Sequence, residues 1–321
     1  MALPDILKNN MRLPAIGAPL FIIANPALVM AQCKSGIVGA FPALNARTVT
    51  QLDEWLAEIT EGLENYNLNN PDRPAAPFAV NQIVHHSNMR LQQDLELCIK
   101  YKVPVVISSL GAVPEVNAAI HSYGGIVLHD VINNRHANSA IRKGADGLIA
   151  VANGAGGHAG TLSPFALIAE IREWFDGPLA LAGAISSGNA ILAAQAMGAD
   201  LAYIGSPFIA TTEANAVDAY KQMIVQSAAK DIVYSNYFTG IHGNYLRSSI
   251  ESTGMDPDHL PEADPSKMDF EKATTGAKAW KDIWGCGQGI GAIKEVMPAE
   301  QLIERWIKQY SSAKTALCSI I

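Results

Sequence analysis

A chain of 321 residues, 49% hydrophobic and 17% charged, carries apolar material for a large buried core and fits two ordinary domains or one α/β barrel. Its net charge of -7 argues against nucleic acid or an anionic membrane as a partner. No apolar run has the length of a membrane span, the opening Met1-Ala-Leu-Pro-Asp-Ile6 lacks a signal-peptide pattern, and Cys33, Cys98, Cys286 and Cys318 are scattered without a C-x-x-C pair. The expectation is a cytoplasmic protein with reduced thiols.

Apolar strand candidates recur at Pro14–Leu20, Gly36–Phe41, Pro77–Gln82, Val103–Ser108, Gly125–His129, Gly147–Val151, Pro178–Ala182 and Leu201–Gly205. Helical patterns separate them at Pro26–Lys34, Val49–Leu63, Met89–Lys102, Val113–Tyr123, Asn134–Lys143, Pro164–Phe175 and Gly188–Met197. Buried strands alternating with amphipathic helices make a parallel sheet covered by helices, and this number of units predicts an α/β fold of the closed (β/α)8 TIM-barrel type. The tags Lys143-Gly-Ala-Asp146 and Met197-Gly-Ala-Asp200 sit where a helix turns into the next strand, with glycine as the cap. Residues 67–76 read as a linker. After Ala210 the strand rhythm stops, and residues 211–278 read as a helical cap without strands, its aromatic cluster at Tyr234–Tyr245 turned towards the barrel mouth. Residues 1–210, completed by 279–321, then form the barrel, with a last helix over Ala299–Ser311.

The working face of such a barrel is built from the loops after the strands. The barest of these is Asn153-Gly-Ala-Gly-Gly-His-Ala-Gly160, after the sixth strand. Its glycines would let a flat or phosphorylated ligand lie against the backbone, and His158 is the one side chain there that transfers a proton near neutral pH; the plain alternative is a flexible surface loop with an incidental histidine. Gly183-Ala184 and Gly205-Ser206 end the seventh and eighth strands, where a barrel phosphate site places backbone N–H groups and a helix N-terminus around an anion. Asn81 ends the third strand, where its amide either pairs with a heterocycle edge or caps a turn. Asp130 ends the fifth and is equally suited to capping the following helix. His85-His86, His121 and His136 read as solvated, and His242 falls in the cap. No His, Asp, Glu or Cys set has metal-ligand spacing, so no metal is expected, and Ser108-Ser109 lack a nucleophile-elbow context.

Several of these motifs together carry a resemblance. Gly17-Ala-Pro-Leu20 resembles the Q-A-P-M motif of the nitronate monooxygenase (2-nitropropane dioxygenase) family, and Gly156-Gly-His-Ala-Gly160 resembles its A-G-G-H-x-G segment. Ala182-Gly-Ala-Ile185 and Tyr203-Ile-Gly-Ser206 are similar to its two phosphate loops, and Asp282–Gly291 to its late W-x-x-G-x-G element. The matches run in order from about residue 12 to 295. The resemblance implies a TIM barrel with a helical cap and tightly bound FMN. It implies FMN contacts at Ala18, Pro19, Leu20, Asn81, Asp130, Gly156, Gly157, Gly183, Ala184, Gly205 and Ser206, and His158 as the active-site histidine. The chain departs from the pattern at Gly17 (usually Gln), Val151 (Gln or Asp), Gly154 (Glu) and Ala184 (Gly), so some ring and ribose contacts fall to other groups, Asn153 among the candidates.

The activity so implied is oxidation of an alkyl nitronate, or of the parent nitroalkane, with O2 to a carbonyl compound and nitrite. His158 serves as base or as stabiliser of the anion. Two alternatives stand beside it: an NAD(P)H-dependent flavin reductase acting on quinones or enoyl substrates, and a non-catalytic flavin-binding barrel. The partners expected are a small molecule and O2, with NAD(P)H as a further candidate and a homodimer left open.

Overall fold

The computed structural model describes residues 3–263 and 282–319. A short helix α1 (Asp5–Lys8) leads into β1 (Ala15–Gly17), α2 (Pro26–Lys34), β2 (Gly39–Pro42), α3 (Val49–Asn69), β3 (Phe78–Ile83), α4 (Leu91–Lys100), β4 (Val105–Ser109) and α5 (Pro114–His121). There follow β5 (Ile126–Val131), α6 (Asn134–Arg142), β6 (Gly147–Val151), the two-residue β7 (Gly157–His158), α7 (Pro164–Arg172), β8 (Leu179–Ala182), α8 (Gly188–Ala196) and β9 (Leu201–Ile204). Eight strands lie side by side in the order β1-β9-β8-β6-β5-β4-β3-β2, with every pairing parallel. A parallel bridge between Ile16 and Val38 joins the two ends, with Gly17 N–H donating to Val38 O at 2.8 Å. The expected TIM barrel is therefore what forms.

Local sequence explains most element boundaries. Asn25, Thr48, Asn133 and Ser187 cap α2, α3, α6 and α8, each side chain accepting from the N–H three residues on. Leu52, Leu56, Ile59 and Leu63 give α3 its buried stripe. The two Gly-Ala-Asp tags share one task at the base of the barrel. Their glycines, Gly144 and Gly198, take φ of +96° and +108° to end α6 and α8. Their aspartates then reach sideways to the start of a neighbouring strand, Asp146 accepting from Val127 N–H at 2.7 Å and Asp200 from Leu179 N–H at 2.9 Å.

Strand residues alternate between two cores. Phe41, Val80, Val106, Val127, Leu148, Leu181 and Ala202 pack outward against the helices. Ile16, Val38, Ala40, Ala79, Val105, Ile107, Leu128, Ile149, Ala180 and Leu201 fill the barrel itself.

Beyond β9 come α9 (Ser206–Ile209), α10 (Asp218–Gln226), β10 (Ile232–Ser235), β11 (Gly243–Leu246), α11 (Arg247–Glu251) and α12 (Ala299–Cys318). The expectation of helices without strands is corrected here, because β10 and β11 form an antiparallel hairpin onto which β7 adds a third strand. Four-residue strands carry too little alternation to stand out in a polar stretch, and their pairing partner lies in another loop. Residues 264–278 of the expected cap lie outside the described residues. Two other limits move: α3 continues to Asn69 into the supposed linker, and α12 runs past Ser311 to Cys318. Asn67 Oδ1 also accepts from Ala75 N–H at 2.7 Å, which folds residues 67–76 back on themselves. Helix α12 packs along α8, Trp306 Nε1–H donating to Ser186 O at 3.1 Å and Gly188 N–H to Gln309 Oε1 at 2.9 Å.

Candidate active site

Strand alternation decides what the barrel mouth presents. Counting along each strand from its inward-facing apolar residues, the last inward positions of β4, β5 and β9 are Ser109, Asp130 and Tyr203, and Asn81 is the inward position of β3 after Ala79. Asn81 Nδ2 donates to Ile107 O at 3.0 Å and to Ser109 Oγ at 2.7 Å. Burial raises the Asp130 carboxyl above its ordinary value, opposed by a hydrogen bond from Ser109 and by the neighbouring His129. Burial also pushes the Tyr203 phenol well up, and the Asp130 charge adds to it. The capping alternative for Asp130 falls away, since Asn133 caps α6. His129 points away from the lumen, its ring held between Asp130 O at 2.9 Å and Gly111 O.

The two glycine loops stand beside this ring. Ala18 N–H donates to Ile204 O at 2.7 Å. A Cβ on Gly205 would meet Leu20 Cδ2 at 3.2 Å and Ala18 Cβ at 3.5 Å, so the Ala18-Pro19-Leu20 loop and the end of β9 share one surface. The N–H groups of Gly205 and Ser206 stand where β9 turns into α9, and that of Gly183 follows directly on the pairing of Ala182 with Tyr203. Ala184 differs from the expectation: its N–H donates to Gly154 O at 3.2 Å, and it takes φ +54°, a left-handed conformation that a Cβ strains. The Ser206 hydroxyl is likewise engaged, accepting from Gly287 N–H at 2.8 Å.

The loop around His158 is less bare than its sequence implies. A Cβ on Gly156 would lie 2.8 Å from Gly287 N and 3.1 Å from Cys286 Cα, and one on Gly287 would lie 2.5 Å from Gly154 O. Two glycine-rich segments, Gly154–Gly157 and Gly285–Gly289, are thus pressed backbone to backbone, and this is the first thing their lack of side chains permits. Cys286 is buried in that contact, its thiol pushed up by burial. The opposite side of Gly156 is exposed. Asn153 is exposed too, its N–H donating to Leu162 O at 2.8 Å.

The next residues join the β10–β11 hairpin. Gly157 and His158 pair with Asn244 and Gly243 of β11, Asn244 Nδ2 donates to Ala155 O at 2.6 Å, and Tyr234 Oη–H to Ala159 O at 3.1 Å. His158 Nε2 lies 2.9 Å from Thr239 Oγ1. Desolvation lowers the imidazole to about 4, so the ring is neutral at pH 7. A neutral imidazole is the form able to accept a proton.

The remaining histidines fall elsewhere. The rings of His85 and His86 lie against each other beyond β3, their centres 4.0 Å apart and their planes tilted by 45°, and His121 meets Asp146 at 2.8 Å on the outer surface. The aromatic cluster at Tyr234–Tyr245 is divided. Phe238 and Tyr245 belong to a small buried core with Ile250 and Ile283, whereas Tyr234 stacks on His242 at 4.9 Å. Among the described residues, no group of three or more His, Cys, Asp or Glu could hold a metal ion. Sequence reasoning missed Ser109, Tyr203, Thr239 and Gly287. Alternation from the apolar strand residues marks the first two, but nothing local marks the last two.

A family model described as nitronate monooxygenase matches residues 13–309. The chain belongs to the nitronate monooxygenase family. It is an oxidoreductase, and the family implies a flavin cofactor and a small-molecule substrate. It is 27% identical to the nitronate monooxygenase of Paraburkholderia phytofirmans (strain DSM 17436 / LMG 22146 / PsJN), over 92% of each chain. In fold it is similar to the nitroalkane oxidase of Streptomyces ansochromogenes, with a TM-score of 0.79 at 24% identity over 97% of this chain and 99% of that one. It is also similar to FabK of Thermotoga maritima, with a TM-score of 0.75 at 24% identity over 99% of this chain and 98% of that one. Both likenesses support the TIM barrel. No helix among the described residues is long and apolar enough to cross a membrane.

Proposed function

We propose that this protein is a cytoplasmic, FMN-dependent nitronate monooxygenase that oxidises alkyl nitronates with O2 to a carbonyl compound and nitrite. The observation that carries the reading is His158, neutral and held by the cap on the loop after β6, at the end of the barrel where the polar ring opens. The residues present suit the cofactor. The loops at Gly183 and at Gly205-Ser206, with the N–H groups of Gly205 and Ser206 at the start of α9, would hold the phosphate. Asn81, Ser109, Asp130 and Tyr203 offer donors and acceptors for a heterocycle edge, while Ala18, Pro19, Leu20 and the open side of Gly156 with Gly157 offer backbone. Ala184 contributes loop shape in place of an N–H. FMN supplies the electron-accepting chemistry and the reaction with O2.

A neutral ring brings no charge to a nitronate; once Nδ1 has taken a proton, His158 donates that hydrogen to the anion and steadies it. With a neutral nitroalkane it takes the proton from the carbon bearing the nitro group, leaving the nitronate. Residues 1–210 and 279–321 form the FMN-binding unit and 211–278 the cap. The test is anaerobic mixing of the purified yellow protein with a nitronate, NADH and NADPH in turn, followed by nitrite assay in air. Reduction of the yellow chromophore by nitronate, with nitrite formed in air, is the expected result. Full bleaching by a nicotinamide alone would move the reading to a quinone or enoyl reductase, and a colourless protein to a non-catalytic barrel.

A further inference from the structure

We infer that Thr239 is a positioning residue that holds His158 as its Nε2–H tautomer, so that Nδ1 is the nitrogen that exchanges a proton with substrate. Thr239 has one hydroxyl hydrogen, and Oγ1 lies 3.0 Å from Ile241 O, an atom that only accepts. With that hydrogen on Ile241 O, the same oxygen faces His158 as an acceptor, so Nε2 at 2.9 Å is the donor. Tyr245 Oη, 3.5 Å from Oγ1, approaches the same oxygen from the buried aromatic core. The opposite tautomer would set the Nε2 lone pair against an oxygen whose hydrogen is already engaged, and would lose the bond.

The backbone fixes where that oxygen stands. Thr239 lies in the turn between β10 and β11, closed by Gly240 N–H donating to Asn236 O at 2.8 Å. The same turn is stitched to the histidine loop, Ala159 N–H donating to His242 O at 3.3 Å beside the pairing of Gly243 with His158. Hairpin and histidine loop are therefore joined by backbone hydrogen bonds, which set the Thr239 hydroxyl against Nε2.

The experiment labels the histidines with 15N and records the imidazole spectra at pH 7, His158 being identified by its loss in His158→Asn. The wild type is expected to show a pyrrole-like Nε2 and a pyridine-like Nδ1. Thr239→Ser should preserve that pattern, and Thr239→Val should shift it towards the other tautomer. A protonated Nδ1 in the wild type, or an unchanged pattern in Thr239→Val, overturns the inference. If the valine variant does not fold, the wild-type and serine spectra still decide it. The kinetic arm rests on the function proposed above: with a neutral nitroalkane, kcat should fall on the order of tenfold in Thr239→Val at unchanged KM and return in Thr239→Ser, the loss of one hydrogen bond to a reacting group. An unchanged kcat in Thr239→Val would show that the tautomer does not govern proton transfer. A protein that turns over no nitroalkane at all would sink the proposed function, and the spectra would still decide the tautomer.

Discussion

The floor and the mouth of the barrel are built by the same strands and follow opposite rules. On the floor, the inward residues Val105, Leu128, Ile149, Ala180 and Leu201 are apolar and almost wholly buried, satisfied by contact alone. Two residues further along, β4, β5 and β9 present Ile107, Asp130 and Tyr203, and beyond Ile107 stands Ser109. At the mouth burial disfavours charge, raising Asp130 and lowering His158. The difference teaches that floor positions stabilise the fold whatever chemistry it hosts, whereas mouth positions lose solvation in order to address a ligand. Mutations at the two ends should therefore separate stability from function.

The sharpest break is His158→Asn. If the ring is the base, turnover of neutral nitroalkanes falls roughly 10²–10⁴-fold, while flavin content and the urea midpoint stay at wild-type values. If it only orients the anion, nitronate turnover falls less, mainly through KM; wild-type rates on every substrate would remove His158 from the mechanism. Leu128→Ala is the converse on the floor, 1% exposed. It should cost about 2–5 kcal/mol in urea unfolding, with the surviving folded protein keeping its flavin. A variant that loses flavin before it loses stability would erase the distinction between the two ends.

Gly205→Val places a branched side chain against Leu20 and Ala18. The protein should fold but purify with flavin bound at least about tenfold more weakly, one hydrogen-bonded approach to the phosphate being blocked. Full yellow occupancy would count against the loop as a phosphate site.

The pH dependence is gentler. Because burial lowers His158 from 6.5 to about 4, the unfolded chain binds a proton that the folded chain refuses between those values. The stability contributed by the neutral ring is complete above about pH 6.5 and is lost as pH falls towards about 4. Urea midpoints from pH 7 to 4 should fall more steeply in the wild type than in His158→Asn; parallel curves would contradict the assigned direction. The smallest effect is Ala184→Gly, which relieves a left-handed alanine at φ +54° and should stabilise by up to about 1 kcal/mol with flavin retained. Destabilisation in the same assay would show that the strain is absent.

Local sequence was sufficient for the alternation of strands and helices and for the glycine ends of α6 and α8, because each depends on residues within a few positions of one another. The loops of the working face, with His158, Asn81, Asp130 and the ends of β8 and β9, were legible for the same reason: they follow strands. Tertiary structure alone decided what those loops meet. The glycines at 154 and 156 look made for a ligand, yet one side of each is filled by a segment more than a hundred residues away, near Gly287. The Ala184 N–H, expected for a phosphate, is taken by Gly154 O. Thr239 reaches His158 across 81 residues, through a hairpin whose strands are too short to show a period of their own. A hydrogen bond or a backbone contact depends on distance in space, and a periodic pattern reports only which way a residue faces along its own element.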